Sequence, residues 1–166
     1  MRKLRGLQVR LGVLVRIEVE VRPTEDEDKV MKAITNFFDP ANVEVVDTGR
    51  SKVIIATSNT LACLLKLHRA LRAERILDAA RGALKKGVQG TMLTFYLHKQ
   101  AAYMGRLSFV DGDHESPLGA IRVTINYENP HEIIDWLAPP TARGKPLWEK
   151  EMPTPREPKT DVSVKP

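Results

Sequence analysis

The sequence predicts a two-layer α+β fold, with helices packed on one face of a mainly antiparallel sheet. Three observations lead there. Several segments alternate apolar and polar residues with period two, the mark of strands with one buried and one wet face. Such strands suit an antiparallel or mixed sheet better than a parallel one covered on both sides. Helical stretches interleave with these strands irregularly, as in α+β rather than doubly wound folds. At 166 residues, 42% of them hydrophobic, the chain can bury one real core. Aromatics are only 5%, so aliphatic side chains must fill it.

The clearest strand spans Leu11 to Arg22, with Val13, Val15, Ile17, Val19 and Val21 on one face and Arg16, Glu18, Glu20 and Arg22 on the other. Pro23-Thr-Glu-Asp-Glu27 then opens a helix. Thr24 is placed to cap it and Glu27 to complete a capping box, with four acids at the positive end of the helix dipole. Val30, Ile34, Phe37 and Phe38 form its buried stripe, and Asp39-Pro40 ends it. Val43 to Val46 and Val53 to Ala56 read as strands joined by the turn residues Asp47 to Ser51. Ser58 or Asn59 caps the next helical region, which runs to about Lys86, bends near Arg69 to Ala73 and ends at a C-cap on Gly87. Met92 to His98 is a strand with Leu93, Phe95 and Leu97 inward. Lys99 to Met104 is a short helix stopped by Gly105, and Leu107 to Val110 returns to β structure. A loop over Asp111 to Pro117 leads to a last strand, with Ile121, Val123, Ile125 and Tyr127 inward. Pro130 starts a final helix through Trp136.

Residues 1–138 are therefore expected to form a single α+β domain. Seven of the 11 prolines fall between Pro139 and Pro166, among charges of both signs. Residues 139–166 read as a Pro-rich charged tail, extended or disordered, which Leu147 and Trp148 could dock. Met1-Arg-Lys-Leu-Arg5 resembles the start of a signal peptide, but Arg10 and Arg16 interrupt the stretch that would have to be apolar, and no run of ~20 apolar residues is present. The expectation is a cytoplasmic protein with no membrane contact. The single Cys63 sits among leucines in Leu61-Ala-Cys-Leu-Leu65 and reads as a small core residue.

The sequence carries no recognisable catalytic or cofactor motif. Gly82 and Gly87 have P-loop separation, but Val88 and Gln89 stand where Lys and Ser or Thr are required. No nucleophile elbow or Rossmann glycine pattern occurs, and the four histidines lack zinc spacing. Asp111, Asp113, His114 and Glu115 could hold a hard cation, but an EF-hand loop starting at Asp111 would place Arg122 at its carboxylate position. A solvated loop is the better reading. No cofactor, metal or catalytic residue is expected.

Charge carries more information. The net charge is +5, which favours acidic partners such as nucleic acid or an anionic surface. Lys66, Arg69, Arg72, Arg75, Arg81, Lys85 and Lys86 share one helical region, opposed only by Glu74 and Asp78. Arg69, Arg72 and Arg75 recur every third residue and could form a phosphate-neutralising ridge. The competing reading is a solvated face on which Asp78 pairs with Arg75 or Arg81. A second candidate is His98-Lys-Gln-Ala-Ala-Tyr103 followed by Arg106. A cation beside an exposed ring offers phosphate contact and base stacking together, unless Tyr103 packs its ring on the core. The outer sheet face adds Arg16, Arg22, Arg122, Thr124 and Asn126, but Glu18 and Glu20 sit among them. That mixture suits water or a symmetric partner.

Five blocks occur in order along the chain: Pro23-Thr-Glu-Asp26, Arg75-Ile-Leu-Asp-Ala-Ala-Arg81, Lys99-Gln-Ala-Ala-Tyr103, Pro117-Leu-Gly119 and Asp135-Trp-Leu-Ala-Pro139. Together they resemble an archaeal protein family that carries a placeholder name and is sometimes labelled RNA-binding. The resemblance covers about Val13 to Pro146. It implies a fold like that of the ribosomal protein that binds 5S rRNA, and an archaeal cytoplasm. It brings no catalytic residues. Two of the blocks coincide with the basic candidates above.

The sequence thus favours a non-catalytic RNA-binding protein, associated with ribosomal or other structured RNA. Arg69, Arg72, Arg75, Arg81, Lys99, Gln100, Tyr103 and Arg106 are the candidate contacts. The alternative is a protein-interaction or homodimer module using the mixed-charge strand face or the tail. A metal-dependent enzyme around Asp111 to Glu115 comes third.

Overall fold

The structure is a computed structural model and describes residues 12–112 and 119–155. Strand β1 (Leu14–Val21) is followed by helix α1 (Glu27–Thr35) and the hairpin β2 (Asn42–Asp47) and β3 (Lys52–Ser58). A 3₁₀ turn (Leu61–Leu64) leads into α2 (Leu65–Ala73) and α3 (Leu77–Lys86). Then come β4 (Val88–Gln89), β5 (Met92–His98), the short α4 (Lys99–Tyr103), β6 (Phe109–Val110) and β7 (Ala120–Asn126). The chain continues through α5 (Pro130–Leu137) and a small hairpin of β8 (Thr141–Ala142) and β9 (Lys145–Pro146).

The strands form one sheet in the order β2-β3-β1-β7-β5-β4, with β6 also on β5, and every pairing is antiparallel. Alternation sets the register. Val15, Ile17, Val19 and Val21 face Ile54 and Ala56 on one side and Val123 and Ile125 on the other, and all are buried. The helices and the turns that join them cover this face through Ile34, Phe38, Leu64, Leu67, Leu71, Leu84 and Ile134. Each is a leucine, isoleucine or phenylalanine whose removal from water stabilises the fold by roughly 1.5–3 kcal/mol. The opposite face carries Arg16, Glu18, Glu20, Arg122 and Thr124 without a second helical layer. The two-layer α+β arrangement is as the sequence predicts.

Several local expectations need correction. The first helix is capped by Asp26, whose carboxylate accepts from the Asp28 amide at 2.9 Å, and not by Thr24. Glu25 is drawn inward instead. The helix ends at Thr35, and Phe37 and Phe38 lie in the turn beyond it, still buried. The bend between α2 and α3 falls at Glu74 to Ile76, later than the sequence suggests, with Arg75 at φ 56°. Gly87 does close α3. A Cβ there would lie 1.7 Å from the Thr94 carbonyl oxygen, so strand β5 can approach the helix end only against glycine.

Residues 139–155 lie along the body. The β8–β9 hairpin is closed by the Leu147 amide donating to Pro140 at 2.8 Å, and Met152 packs against the core. The Tyr127 hydroxyl donates to the Thr154 carbonyl at 3.4 Å. Trp148 is half-buried beside Lys150. Of the cation-loop candidates, Asp111 is described and exposed, while Asp113, His114 and Glu115 lie outside the described residues.

Candidate nucleic-acid interface

The structure divides the eight candidate contacts into two groups. Arg72, Arg81 and Lys99 are committed to internal bonds, whereas Arg69, Arg75, Gln100 and Arg106 are exposed and Tyr103 is half-buried.

Arg72 lies on the side of α2 that faces α5 and the tail. Its Nε and Nη2 donate to the two carboxylate oxygens of Glu149 at 2.9 and 2.6 Å. Its remaining donors reach the carbonyls of His68, Leu137 and Trp136 at 2.9, 2.9 and 3.2 Å. A guanidinium has five N–H donors, so none is left for a phosphate. Arg81 Nη1 donates to Asp135 and to the Ala138 carbonyl, both at 3.0 Å. Asp78 does not pair with Arg75 or Arg81; it accepts from the Thr141 hydroxyl. Lys99 is only 2% exposed. Its ammonium donates to the Glu20 carbonyl at 2.8 Å and to Glu25 at 2.9 Å, tying the start of α4 to the end of β1. These three cations hold the fold together and are removed from the expected contact surface.

The other group is gathered by the packing of α1 against α4. Asn36 at the end of α1 donates to the carbonyls of Ala102 and Tyr103 at 2.8 and 3.2 Å, which fixes α4 beside it. Lys29 and Lys32 of α1 then sit over the Tyr103 ring, 6.0 and 5.5 Å from its centroid. The Glu74 carboxylate accepts from the Leu107 amide at 3.1 Å, tying the α2–α3 bend, which carries Arg75, to the segment after α4, which carries Arg106. Arg69 lies six residues before Arg75, exposed on α2. Lys29, Lys32, Arg69, Arg75 and Arg106 are all exposed, and none pairs with a carboxylate among the described residues. Sequence reading misses Lys29 and Lys32 because it uses α1 only for its cap and its buried stripe. Their i,i+3 spacing on the face opposite Val30 and Ile34 is the available signal.

The open sheet face has the opposite electrostatics. Arg16 and Arg122 both pair with Glu18, at 3.1 and 3.6 Å, and Arg22 pairs with Glu20 at 3.2 Å. A hydrogen bond from Ser51 and the neighbouring Arg22 hold the Glu20 carboxyl below the usual glutamate range. Cations on this side are therefore neutralised in place. The face does carry an aromatic, since Tyr96 lies on it with the Arg122 guanidinium 5.9 Å from its ring.

The antiparallel sheet with its helical layer defines an α+β protein, and the helical side carries exposed cations without carboxylate partners among the described residues. A family model described as "RNA binding" matches residues 14–127, which is more than half of the chain. A UPF0201 protein of Aeropyrum pernix is 59% identical over 145 residues, covering 87% of this chain and 97% of its own. One from Sulfurisphaera tokodaii is 56% identical over 138 residues, covering 83% and 95%. The crystal structure of a UPF0201 protein from Methanococcus jannaschii superposes with a TM-score of 0.71 at 35% identity, covering 81% of this chain and 98% of that one. The chain belongs to the archaeal UPF0201 family, whose name is a placeholder. No helix among the described residues is long and apolar enough to cross a membrane.

Proposed function

We propose that this protein binds RNA without catalysing a reaction on it, through the helical layer rather than through the open sheet face. The observation that carries this reading is a set of exposed cations without carboxylate partners among the described residues: Lys29 and Lys32 over the Tyr103 ring, with Arg69, Arg75 and Arg106. The family description "RNA binding" supports it. Cations already paired with carboxylates give little to a phosphate, whereas unpaired ones release condensed counterions when they bind. Gln100, exposed on α4, adds an amide that can both donate and accept. Association with ribosomal or other structured RNA, in an archaeal cytoplasm and on a fold like that of the 5S-rRNA-binding ribosomal protein, is the finer form of the proposal.

The test is charge reversal in two places. Arg69→Glu with Arg75→Glu lowers affinity for cellular RNA at least ten-fold. Lys85→Glu with Lys86→Glu, an equal change in net charge at the far end of α3, has a much smaller effect. Equal losses would mean that only net charge matters and would remove the proposed surface.

One observation favours a second reading, self-association. Edge strand β2 is exposed along its whole length, with Val43, Val45 and Val46 each more than 40% exposed. Unprotected apolar edges pair readily with another strand. A monomeric mass in sedimentation across a wide concentration range would dispose of it.

A further inference from the structure

Beside Tyr103 the packing of α1 on α4 leaves an open cavity of about 280 Å³. Its lining includes Asp26, Lys29, Lys99, Gln100 and Tyr103, with Val30 and Ala33 as an apolar floor. Resting on the RNA-binding reading above, we infer that this cavity takes a single unpaired nucleotide, so that the RNA recognised carries a bulge or an unstacked loop base.

Three features point to a base rather than to a phosphate alone. The Tyr103 ring borders the cavity, and besides its packing on the core it is covered by two lysine ammoniums whose side chains are exposed and free to swing toward a backbone phosphate. Once these ammoniums move to a phosphate, the ring face they leave is a stacking platform for any base. Gln100 presents an amide to the same space, able to meet both donors and acceptors on a base edge. Asp26 spends one carboxylate oxygen on the Asp28 amide, and its second oxygen has room to accept from an exocyclic amino group. Lys99 also lines the cavity, with its ammonium bound to the Glu20 carbonyl and Glu25 rather than offered to the ligand. The Glu25 Oε1 accepts from both Lys99 and the Arg22 amide, and the buried Lys99 ammonium balances the charge of this carboxylate. A paired base could use none of this, because stacking and pairing hide its faces and edge.

The experiment uses the full chain and two synthetic RNA hairpins, one perfectly paired and one with a single bulged 2-aminopurine. The bulged hairpin should bind at least about five-fold more tightly, and its fluorescence should be quenched on binding, because base–aromatic stacking is sequence-tolerant and substantial. Tyr103→Leu and, independently, the exposed Gln100→Ala should each lower the ratio of bulged-hairpin to paired-hairpin affinity toward one. Gln100→Ala keeps the test valid if the tyrosine variant fails to fold. Equal binding of the two hairpins, or a preference that survives both substitutions, would overturn the nucleotide site and leave the RNA-binding reading intact. Binding of neither hairpin would overturn both.

Discussion

Lys99 shows how a single side chain changes meaning between sequence and structure. In sequence it stands in a basic, tyrosine-containing block beside Gln100 and reads as a contact for phosphate. In the fold its partner is Glu25, 74 residues earlier, and the pair is almost wholly buried. Nothing local announces such a partner. Removing one member of a buried pair leaves the other as an uncompensated charge. Lys99→Met should therefore destabilise the protein by roughly 3–5 kcal/mol, whereas the double change Lys99→Met with Glu25→Leu should cost much less, both measured by urea unfolding. Arg72 teaches the same lesson, since its acceptors lie 64, 65 and 77 residues away. Cys63, by contrast, is legible from its leucine neighbours. It is buried, and burial pushes its thiol up to about 11. It should not react with a disulfide reagent at pH 8 until the chain is unfolded. Prompt reaction of the native protein would contradict that.

At the scale of elements, period two makes the strands easy to read. Val15, Ile17 and Val19 alternate with charged residues, and each such strand appears in the sheet with the expected face inward. The bend between α2 and α3 is less legible. Left-handed backbone usually falls to glycine, but here Arg75 occupies it at φ 56°. Its side chain gives no sign of this, so sequence reading places the break several residues too early. The conformation costs a non-glycine residue roughly 1–2 kcal/mol. Arg75→Gly should therefore keep or raise thermal stability while weakening RNA binding, a combination that simple unfolding cannot produce. At the other end of α3, Gly87→Ala should destabilise by about 1–3 kcal/mol or more, because the added methyl would overlap the Thr94 carbonyl. Chemical denaturation of that variant checks the close approach. The capping residue is easily misread because Thr24, Asp26 and Glu27 all satisfy capping preferences, and only the path of the chain selects Asp26.

Across the whole molecule, charge is sorted between two faces. The sheet side pairs its arginines with Glu18 and Glu20, and the helical side leaves Lys29, Lys32, Arg69, Arg75 and Arg106 without carboxylate partners among the described residues. The positive balance and most of these residues are visible in the sequence, but their assignment to faces is not, because pairing is a tertiary property. The C-terminal stretch has its own electrostatic tie. Hydrogen bonds from Arg72 hold the Glu149 carboxyl below the usual range, and burial, reinforced by the nearby Arg72 charge, lowers His68. Both groups give up protons more readily folded than unfolded. Each therefore stabilises the docked state fully above its ordinary value and loses that contribution as pH falls through its lowered one. Hydrogen-exchange protection of residues 141–152, corrected for the intrinsic pH dependence of exchange, should fall on acidification, beginning below the ordinary histidine value of about 6.5 and continuing below the carboxylate value of about 4.3. Corrected protection that stays constant from pH 7 to pH 4 would contradict the tie.

The central claim is that unpaired cations on the helical layer meet RNA phosphates. Its most direct test is the salt dependence of RNA binding by the purified, nuclease-treated protein. The account predicts that log affinity falls linearly with log salt, with a slope near −0.7 for each phosphate neutralised on a single strand, so about −2 to −4 for three to five contacts. It also predicts that Arg69→Glu with Arg75→Glu makes the slope shallower. No binding at low salt, or binding whose slope is unchanged in that variant, would contradict it.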